Sequence, residues 1–152
     1  IGNSYEQIRT ASIEDVPGIL KLIAPLEESG GLVKRSRELL ESEIQQFVVI
    51  ERDGLLISCA ALYRYDTSGE LACLVTHPDY RNSDRGDRLL DAIEKTARAS
   101  QLVDLFVLTT QSAHWFTERG FSESSREALP EGKKEFYNYQ RSSTVLRKAL
   151  RD

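Results

Sequence analysis

The segment 74–90 contains the residue types best suited to binding an anion. A strand-like run is followed by a polar loop at 79–84, and an apolar-periodic helix begins near Gly86. Unpaired N–H groups in such a loop, together with the positive end of the helix dipole, attract anions. Arg81 and Arg85 add positive charge, so the segment predicts a pyrophosphate site. The alternative is a plain strand-to-helix connection with a solvated loop.

Other classes of site are disfavoured by the sequence. It has no GxxxxGK[ST] run and no GxGxxG after a strand, which excludes the P-loop and the dinucleotide fingerprint. The net charge of -4 argues against a nucleic-acid partner, and no apolar run is long enough to cross a membrane. Cys59 and Cys73 have no His or Cys at metal-ligand spacing, so we expect no metal. Two buried free thiols suit a reducing cytoplasm, with a disulfide as the alternative.

The elements that must position this segment follow from hydrophobic periodicity and turn residues. Ser12 and Asp15 form a capping-box pattern at the start of the first helix, which ends near Gly30, and Ser36 begins a second helix carrying Leu39, Leu40 and Ile44. Further helices are predicted at 86–99 and 112–119, with a helical turn at 130–137. Strands are predicted before Ser12, at 47–50, 55–65, 70–76, 105–109, around 121, and at 143–150. This order predicts an α+β, mixed α/β fold with helices covering a sheet.

The segment Val75-Thr-His-Pro-Asp-Tyr-Arg81, with Gly86 before an apolar helix, resembles the acetyl-CoA motif of the GNAT superfamily. The resemblance implies a GNAT acyl-CoA N-acyltransferase fold, with a central, mostly antiparallel twisted sheet flanked by helices. Asp84 stands where that family usually has its first glycine. The resemblance implies the following contacts to acetyl-CoA: Leu74, Val75, Thr76, Arg81, Asn82, Ser83, Asp84, Arg85, Gly86 and Asp87.

A second resemblance extends over most of the chain. Its blocks are Ile23–Glu27, Leu32–Glu38, Cys59–Leu62, Glu70–Cys73, Leu105–Thr110, His114–Phe121 and Tyr137–Arg141. In this order they are similar to the acetyltransferase domain of bacterial N-acetylglutamate synthases. That family transfers the acetyl group of acetyl-CoA to the α-amine of L-glutamate, the first step of arginine biosynthesis, and we expect direct attack in a ternary complex. We expect 1–152 to be one acetyltransferase domain of a longer polypeptide, which forms a homo-oligomer through an upstream domain.

Three residues are candidates for the chemistry. The resemblance favours Glu70 as the base that removes the ammonium proton through a water, over an exposed carboxylate closing the Gly69 turn. Cys73 and Thr109 resemble family positions that assist the leaving thiolate, although Cys73 also fits a small buried apolar residue. The tyrosine that many family members use as acid is replaced by Phe116. Because 70 and 73 face opposite sides of a regular strand, we predict a β-bulge between Glu70 and Val75 that frees the N–H of Leu74 or Val75.

A dicarboxylate substrate requires cations. The basic run 34–37 begins a helix, where positive charge opposes the helix dipole. This placement indicates an anion partner, with a solvated basic patch as the alternative. The resemblance implies glutamate contacts at Leu32, Lys34, Arg141 and Ser143, with Arg35 beside them.

Two further functions stay open at this point. The enzyme could acetylate another amine, such as a different amino acid or a protein N-terminus. The chain could also be a regulatory module that binds acetyl-CoA without turnover, an alternative that Phe116 and Asp84 keep open. His77 is expected to be structural, and His114 to help pack the short helix.

Overall fold

The structure is a computed structural model that describes residues 6–29, 36–81, 83–110, 112–125, 127, 129–130 and 144–150. The strands are β1 (Glu6–Thr10), β2 (Phe47–Arg52), β3 (Leu55–Tyr65), β4 (Ser68–Thr76), β5 (Asp104–Thr109), β6 (Ser122–Ser124) and β7 (Thr144–Ala149). The helices are α1 (Val16–Glu28), α2 (Arg37–Glu43), α3 (Arg85–Ala99) and α4 (Ala113–Thr117).

In the part of the chain that is described, the strands form one seven-stranded sheet in the order β1-β2-β3-β4-β5-β7-β6. The pairs β1/β2, β2/β3, β5/β7 and β6/β7 are antiparallel, whereas β4 and β5 are parallel over Ser68–Glu70. A mostly antiparallel sheet flanked by helices confirms the predicted fold class. The insertion of β7 between β5 and β6 was not predicted.

The chain forms two compact units, 1–61 with 73–93 and 62–72 with 94–152. In the first unit α1 approaches β3 so closely that a Cβ on Gly18 would lie 2.8 Å from Leu56 Cδ1. Its largest fully buried side chains are Val16, Ile19, Ile23, Leu40, Phe47, Val49, Ile50, Ile57, Leu89 and Ile93. Those of the second unit are Leu105 and Leu146. The expectation of a single domain stays a prediction.

Local signals at the helix starts and the first hairpin are confirmed. The backbone N–H of Ser12 donates to Asp15 Oδ2 at 2.8 Å, and a 3-10 turn at Ile13–Asp15 leads into α1. Ser36 Oγ accepts from the N–H of Leu39 at 3.1 Å and caps α2. Asp53 and Gly54 take positive φ angles of 52° and 82°, as a tight hairpin turn requires.

Two predicted packing residues are instead exposed. Leu39, expected on the apolar face of α2, is 42% exposed, because α2 is only two turns long and Leu40 and Ile44 fill its buried side. The side chain of His114 is 87% exposed and pairs with Glu118 one helical turn later. The prediction that His114 helps to pack α4 is therefore wrong.

Candidate functional site

Strand β4 carries the predicted base in a buried position. Glu70 is 6% exposed and lies opposite Phe106 of β5. A Cβ on the preceding Gly69 would meet Leu62 Cδ1 at 2.8 Å and Leu102 Cδ1 at 2.9 Å, so only glycine allows this close packing beside the carboxylate. The alternative of an exposed carboxylate at a strand end is therefore wrong. A buried carboxylate is a suitable proton acceptor when a substrate or water reaches it.

Three residues after Glu70 the backbone of β4 leaves regular strand geometry. Cys73 has φ +56°, a left-handed conformation that a side chain disfavours, within the interval where the bulge was predicted. The positive φ of Cys73 lies inside that interval, and the bulge itself stays a prediction. Cys73 is 2% exposed, and Cys59 and Cys73 are both free thiols, so the structure contains no disulfide between them.

The carbonyl groups of this irregular stretch are held by side chains from β3. Cys59 Sγ donates to the carbonyl of Cys73 at 3.4 Å, and the fully buried Ser58 Oγ donates to the carbonyl of Val75 at 2.8 Å. Ser58 Oγ also lies 2.9 Å from Thr76 Oγ1. These contacts fix the directions of two peptide groups, 73–74 and 75–76, which are separated by one peptide.

The direction of each carbonyl determines the direction of the next N–H. All peptide bonds described here are trans, and in a planar trans peptide the C=O and the N–H point opposite ways. Because the carbonyls of Cys73 and Val75 point toward β3, the N–H groups of Leu74 and Thr76 point away from it. These donors are suited to a thioester oxygen or to amides of an extended ligand.

The loop after β4 is fixed at its start. The N–H of His77 donates to the carbonyl of Ile57 at 2.7 Å, and Ile57 is the residue of β3 left over where the β2–β3 register shifts. His77 Nδ1 accepts from the N–H of Asp79 at 3.1 Å, and the N–H of Tyr80 donates to the carbonyl of His77. The prediction that His77 is structural is confirmed.

The middle of the loop presents donors. Among the described residues, the N–H groups of Ser83, Asp84 and Gly86 have no protein acceptor, and the first turn of α3 closes with Arg88 N–H to the Asp84 carbonyl at 2.9 Å. The side chain of Asp84 is exposed. The exposed Arg81 donates from Nε to the Thr76 carbonyl at 3.3 Å. Free amides, a helix start and an exposed guanidinium together favour an anion.

Arg85 takes a different place from the other predicted phosphate ligands. Its side chain is 13% exposed and contacts Glu6 from Nε at 3.2 Å and from Nη2 at 2.8 Å. Nη1 donates to the Tyr80 carbonyl at 3.2 Å and to Ser83 Oγ at 2.9 Å. The Arg85 guanidinium, aided by Arg88, lowers the pKa of Glu6 although burial opposes this shift. The guanidinium of Arg85 thus binds the protein itself.

Within the second unit, Thr109 ends β5, and its Oγ1 accepts from the N–H of Ser112 at 2.9 Å. Phe116 is 6% exposed and packs edge-on against Trp115 and Phe121, with ring centroids 5.0 and 5.3 Å away. The aromatic cluster explains why a phenyl ring suits this position, which offers no hydroxyl. The leaving-group role of Thr109 and Cys73 stays a prediction.

Several predicted contacts lie outside the described residues: Leu32, Lys34, Arg35, Asn82, Arg141 and Ser143. Among the residues that are described, no three His, Cys, Asp or Glu side chains cluster as metal ligands do. The helices described here include none with the length and apolar character that crossing a membrane requires.

Sequence reasoning missed three residues that shape this region: Glu6, Ser58 and Cys59. Ser58 carried a weak signal, since it is a polar residue within the apolar run 55–62. Glu6 carried none, because its partner Arg85 lies 79 residues later.

Comparison with known proteins agrees with this geometry. The acetyltransferase (GNAT) domain family matches residues 43–123. Amino-acid acetyltransferases of Pseudomonas fluorescens Pf-5 and Azotobacter vinelandii are 59% and 60% identical over 148 residues, covering 96% of this chain and 34% of each relative. The chain therefore spans about a third of the length of these relatives.

A solved structure has the same fold. N-acetylglutamate synthase from Neisseria gonorrhoeae, in complex with coenzyme A and N-acetylglutamate, is 41% identical with a TM-score of 0.93. The match covers 98% of this chain and 36% of that one. Since the family match spans more than half of the chain and the fold agrees, this chain belongs to the GNAT acetyltransferase family.

Proposed function

We propose that this chain transfers the acetyl group of acetyl-CoA to the α-amine of L-glutamate, giving N-acetylglutamate and coenzyme A. The observation that carries the proposal is a set of N–H donors that follow the buried Glu70 along the chain. Leu74 and Thr76 direct theirs away from β3, and those of Ser83, Asp84 and Gly86 have no acceptor among the described residues. The similarity to amino-acid acetyltransferases supports the choice of substrate.

The loop supplies the binding half of the mechanism. The N–H groups of Ser83, Asp84 and Gly86, at the start of α3, bind the pyrophosphate of acetyl-CoA. Arg81 adds an exposed positive charge beside them. Because Leu74 and Thr76 direct N–H groups away from β3, they bind the acyl and pantetheine part that extends from the pyrophosphate.

Strand β4 supplies the chemical half. Glu70 accepts a proton from the glutamate ammonium through a water, which frees the nitrogen lone pair to attack the thioester carbonyl carbon. The N–H of Leu74 stabilises the negative charge that develops on the carbonyl oxygen. The C–S bond then breaks, and the nitrogen loses its second proton as the amide forms. The coenzyme A thiolate takes a proton from Cys73 or Thr109, the candidate donors, and the proton that leaves the nitrogen restores the donor.

The test is a direct assay of the purified protein with acetyl-CoA and L-glutamate. A Glu70→Gln substitution, which keeps the shape and removes the base, should lower kcat by about 10²- to 10⁴-fold with little change in the KM for acetyl-CoA. Turnover with another amine but not with L-glutamate would overturn the substrate assignment. Binding of coenzyme A without turnover of any amine would indicate a regulatory module.

The predicted glutamate contacts allow a separate test. Lys34→Ala and Arg141→Ala should each raise the KM for L-glutamate while the KM for acetyl-CoA stays within about twofold, because each removes a charge that only the dicarboxylate uses. Equal changes in both constants would argue against these contacts.

The same proposal concerns the setting of the enzyme. We expect a cytoplasmic enzyme of arginine biosynthesis, since two buried free thiols suit a reducing compartment. The homo-oligomer expected from an upstream domain stays a prediction.

A further inference from the structure

Strand β1 brings an acidic side chain against the loop that binds the pyrophosphate. The side chain of Glu6 is 14% exposed, and its two oxygens receive Arg85 Nη2 at 2.8 Å and Arg88 Nη1 at 2.6 Å. Arg52 lies at 4.0 Å from the same carboxylate. Charge-assisted hydrogen bonds of this length are among the stronger ones in proteins, so the position of Arg85 is tightly set.

Arg85 also contacts two residues of the loop. With Nε and Nη2 held by Glu6, Nη1 reaches the carbonyl of Tyr80 and the hydroxyl of Ser83. The guanidinium carbon also lies 5.3 Å from the centre of the Tyr80 ring. One planar group therefore links Tyr80 and Ser83 to β1.

This arrangement separates two tasks within the loop. Arg85 uses donors on all three of its nitrogens within the protein and so holds Tyr80 and Ser83. The amides of Ser83, Asp84 and Gly86, which have no acceptor among the described residues, remain for the ligand. Donors fixed in advance bind an anion more tightly than mobile ones, because binding no longer has to order them.

We propose that Glu6 is a positioning residue for acetyl-CoA, and that it acts through Arg85 to hold the loop amides toward the pyrophosphate. The proposal rests on the proposed function for the identity of the ligand. It assigns Glu6 no contact with the ligand and no part in the chemical step.

The test compares Glu6→Gln with Asp15→Asn in the purified protein. Asp15 is a matched control, because its carboxylate is also about one-tenth exposed and also binds an arginine, and its bonds among the described residues go to Arg9 and Ser12. Glu6→Gln should raise the KM for acetyl-CoA by about tenfold with kcat near the parent value, since a charged hydrogen bond is lost. Asp15→Asn should leave both constants within about twofold.

A second acyl donor distinguishes a specific effect on pyrophosphate binding from a general loss of activity in the variant. S-acetylpantetheine carries the thioester but no pyrophosphate, so Glu6→Gln should leave its kcat/KM within about twofold of the parent enzyme. An equal loss with both donors, or an equal effect of Asp15→Asn, would overturn the proposal. If Glu6→Gln does not fold, Arg85→Lys, which keeps the charge and loses the fork, should show the same contrast between donors.

Direct binding distinguishes failure of this proposal from failure of the proposed function. Calorimetric titration with coenzyme A and with pantetheine needs no turnover. Glu6→Gln should weaken coenzyme A by about tenfold and leave pantetheine unchanged. A parent protein that binds coenzyme A but does not acetylate L-glutamate would overturn only the proposed function. Absence of coenzyme A binding would overturn both.

Discussion

Two ion clusters begin on β1, and they are built in opposite ways. In the loop cluster, Glu6 is surrounded by three arginines, Arg52, Arg85 and Arg88. In the second cluster, which we call the strand cluster, Arg9 lies between two carboxylates, at 2.7 Å from Asp15 and 2.7 Å from Glu51. Positions 6 and 9 differ by three, so their side chains leave opposite faces of the strand.

The difference indicates what each cluster is for. In the strand cluster Arg9 joins β1 to β2 and to the start of α1, and Asp15 also receives the N–H of Ser12. Its bonds end within the fold. The loop cluster has two more positive than negative groups and adjoins amides that have no protein acceptor among the described residues. An excess of one sign beside open donors is suited to a ligand of the other sign.

The largest expected effect comes from removing Arg85 from the loop cluster, compared with removing Arg9 from the centre of the strand cluster. Arg85→Ala should raise the KM for acetyl-CoA by roughly 10- to 100-fold, because its charged hydrogen bonds are worth about 1.5–3 kcal/mol each. Arg9→Ala should change this KM by less than about twofold, although it destabilises the fold. Steady-state kinetics on both variants measures the two KM values. An equal rise in both would show that the loop cluster and the strand cluster do not differ in their effect on acetyl-CoA binding.

The next effect is on stability and its dependence on pH. The pKa of Glu6 is lowered by Arg85, and that of Asp15 is lowered by Arg9, from ordinary values of 4.5 and 3.8. Each carboxylate therefore stabilises the fold above its ordinary pKa, and this contribution is lost as the pH falls through the lower, folded-state value.

Glu6→Gln and Asp15→Asn should thus each lower the free energy of unfolding by about 1–3 kcal/mol at neutral pH. The difference in the free energy of unfolding between variant and parent should begin to decrease near pH 4.5 for Glu6→Gln and near pH 3.8 for Asp15→Asn. It should decrease further at lower pH. Urea unfolding followed across acidic pH measures both curves. A difference that does not change with pH would show that these charges are not responsible.

A smaller effect separates the two arginines of the loop. Arg81 is exposed, whereas Arg85 is 13% exposed. Arg81→Ala should raise the KM for acetyl-CoA by only about two- to fivefold, and this factor should decline at high ionic strength because salt screens exposed charges. The factor for Arg85→Ala should persist at high salt. Kinetics at low and high ionic strength compares them directly.

The smallest effect provides a baseline for both clusters. Arg37 and Glu41 form an exposed pair one turn apart on α2, at 3.3 Å, with side chains 60% and 40% exposed. Arg37→Ala should change the free energy of unfolding by less than about 0.5 kcal/mol, as exposed helical pairs do. Thermal or urea unfolding suffices to measure it. If Arg37→Ala lowered the free energy of unfolding as much as Asp15→Asn, burial would not explain the difference in strength between these ion pairs.

Much of the secondary structure was predictable because its signals are local. The apolar spacing of α3, the Ser36 cap and the Asp53-Gly54 turn each depend on neighbours within a few residues. The order β5-β7-β6 was not, since pairing of Asp104 with Ala149 depends on packing between distant segments. Helix α2 shows a second limit of prediction from sequence. It has only two turns, so its apolar spacing did not determine whether Leu39 lies on the buried or the exposed side.

The candidate site divides in the same way. Its loop and Glu70 could be located from residue types and resemblance, because the strand–loop–helix order is contiguous in sequence. The bond between Glu6 and Arg85 could not, since it joins residues far apart in the chain. A bulge was predicted between Glu70 and Val75 from the spacing of residues 70 and 73, but the sequence did not indicate that Cys73 would take the left-handed backbone.

The contacts from Ser58 and Cys59 to β4 have a consequence for the protein without its ligand. They turn the N–H groups of Leu74 and Thr76 away from β3, past the stretch Ser68–Glu70 that pairs with β5 in the described part of the chain. An N–H group is protected from exchange with solvent when another group accepts a hydrogen bond from it. We therefore expect the N–H groups of Leu74 and Thr76 to exchange with deuterium more slowly with coenzyme A bound than in the empty protein.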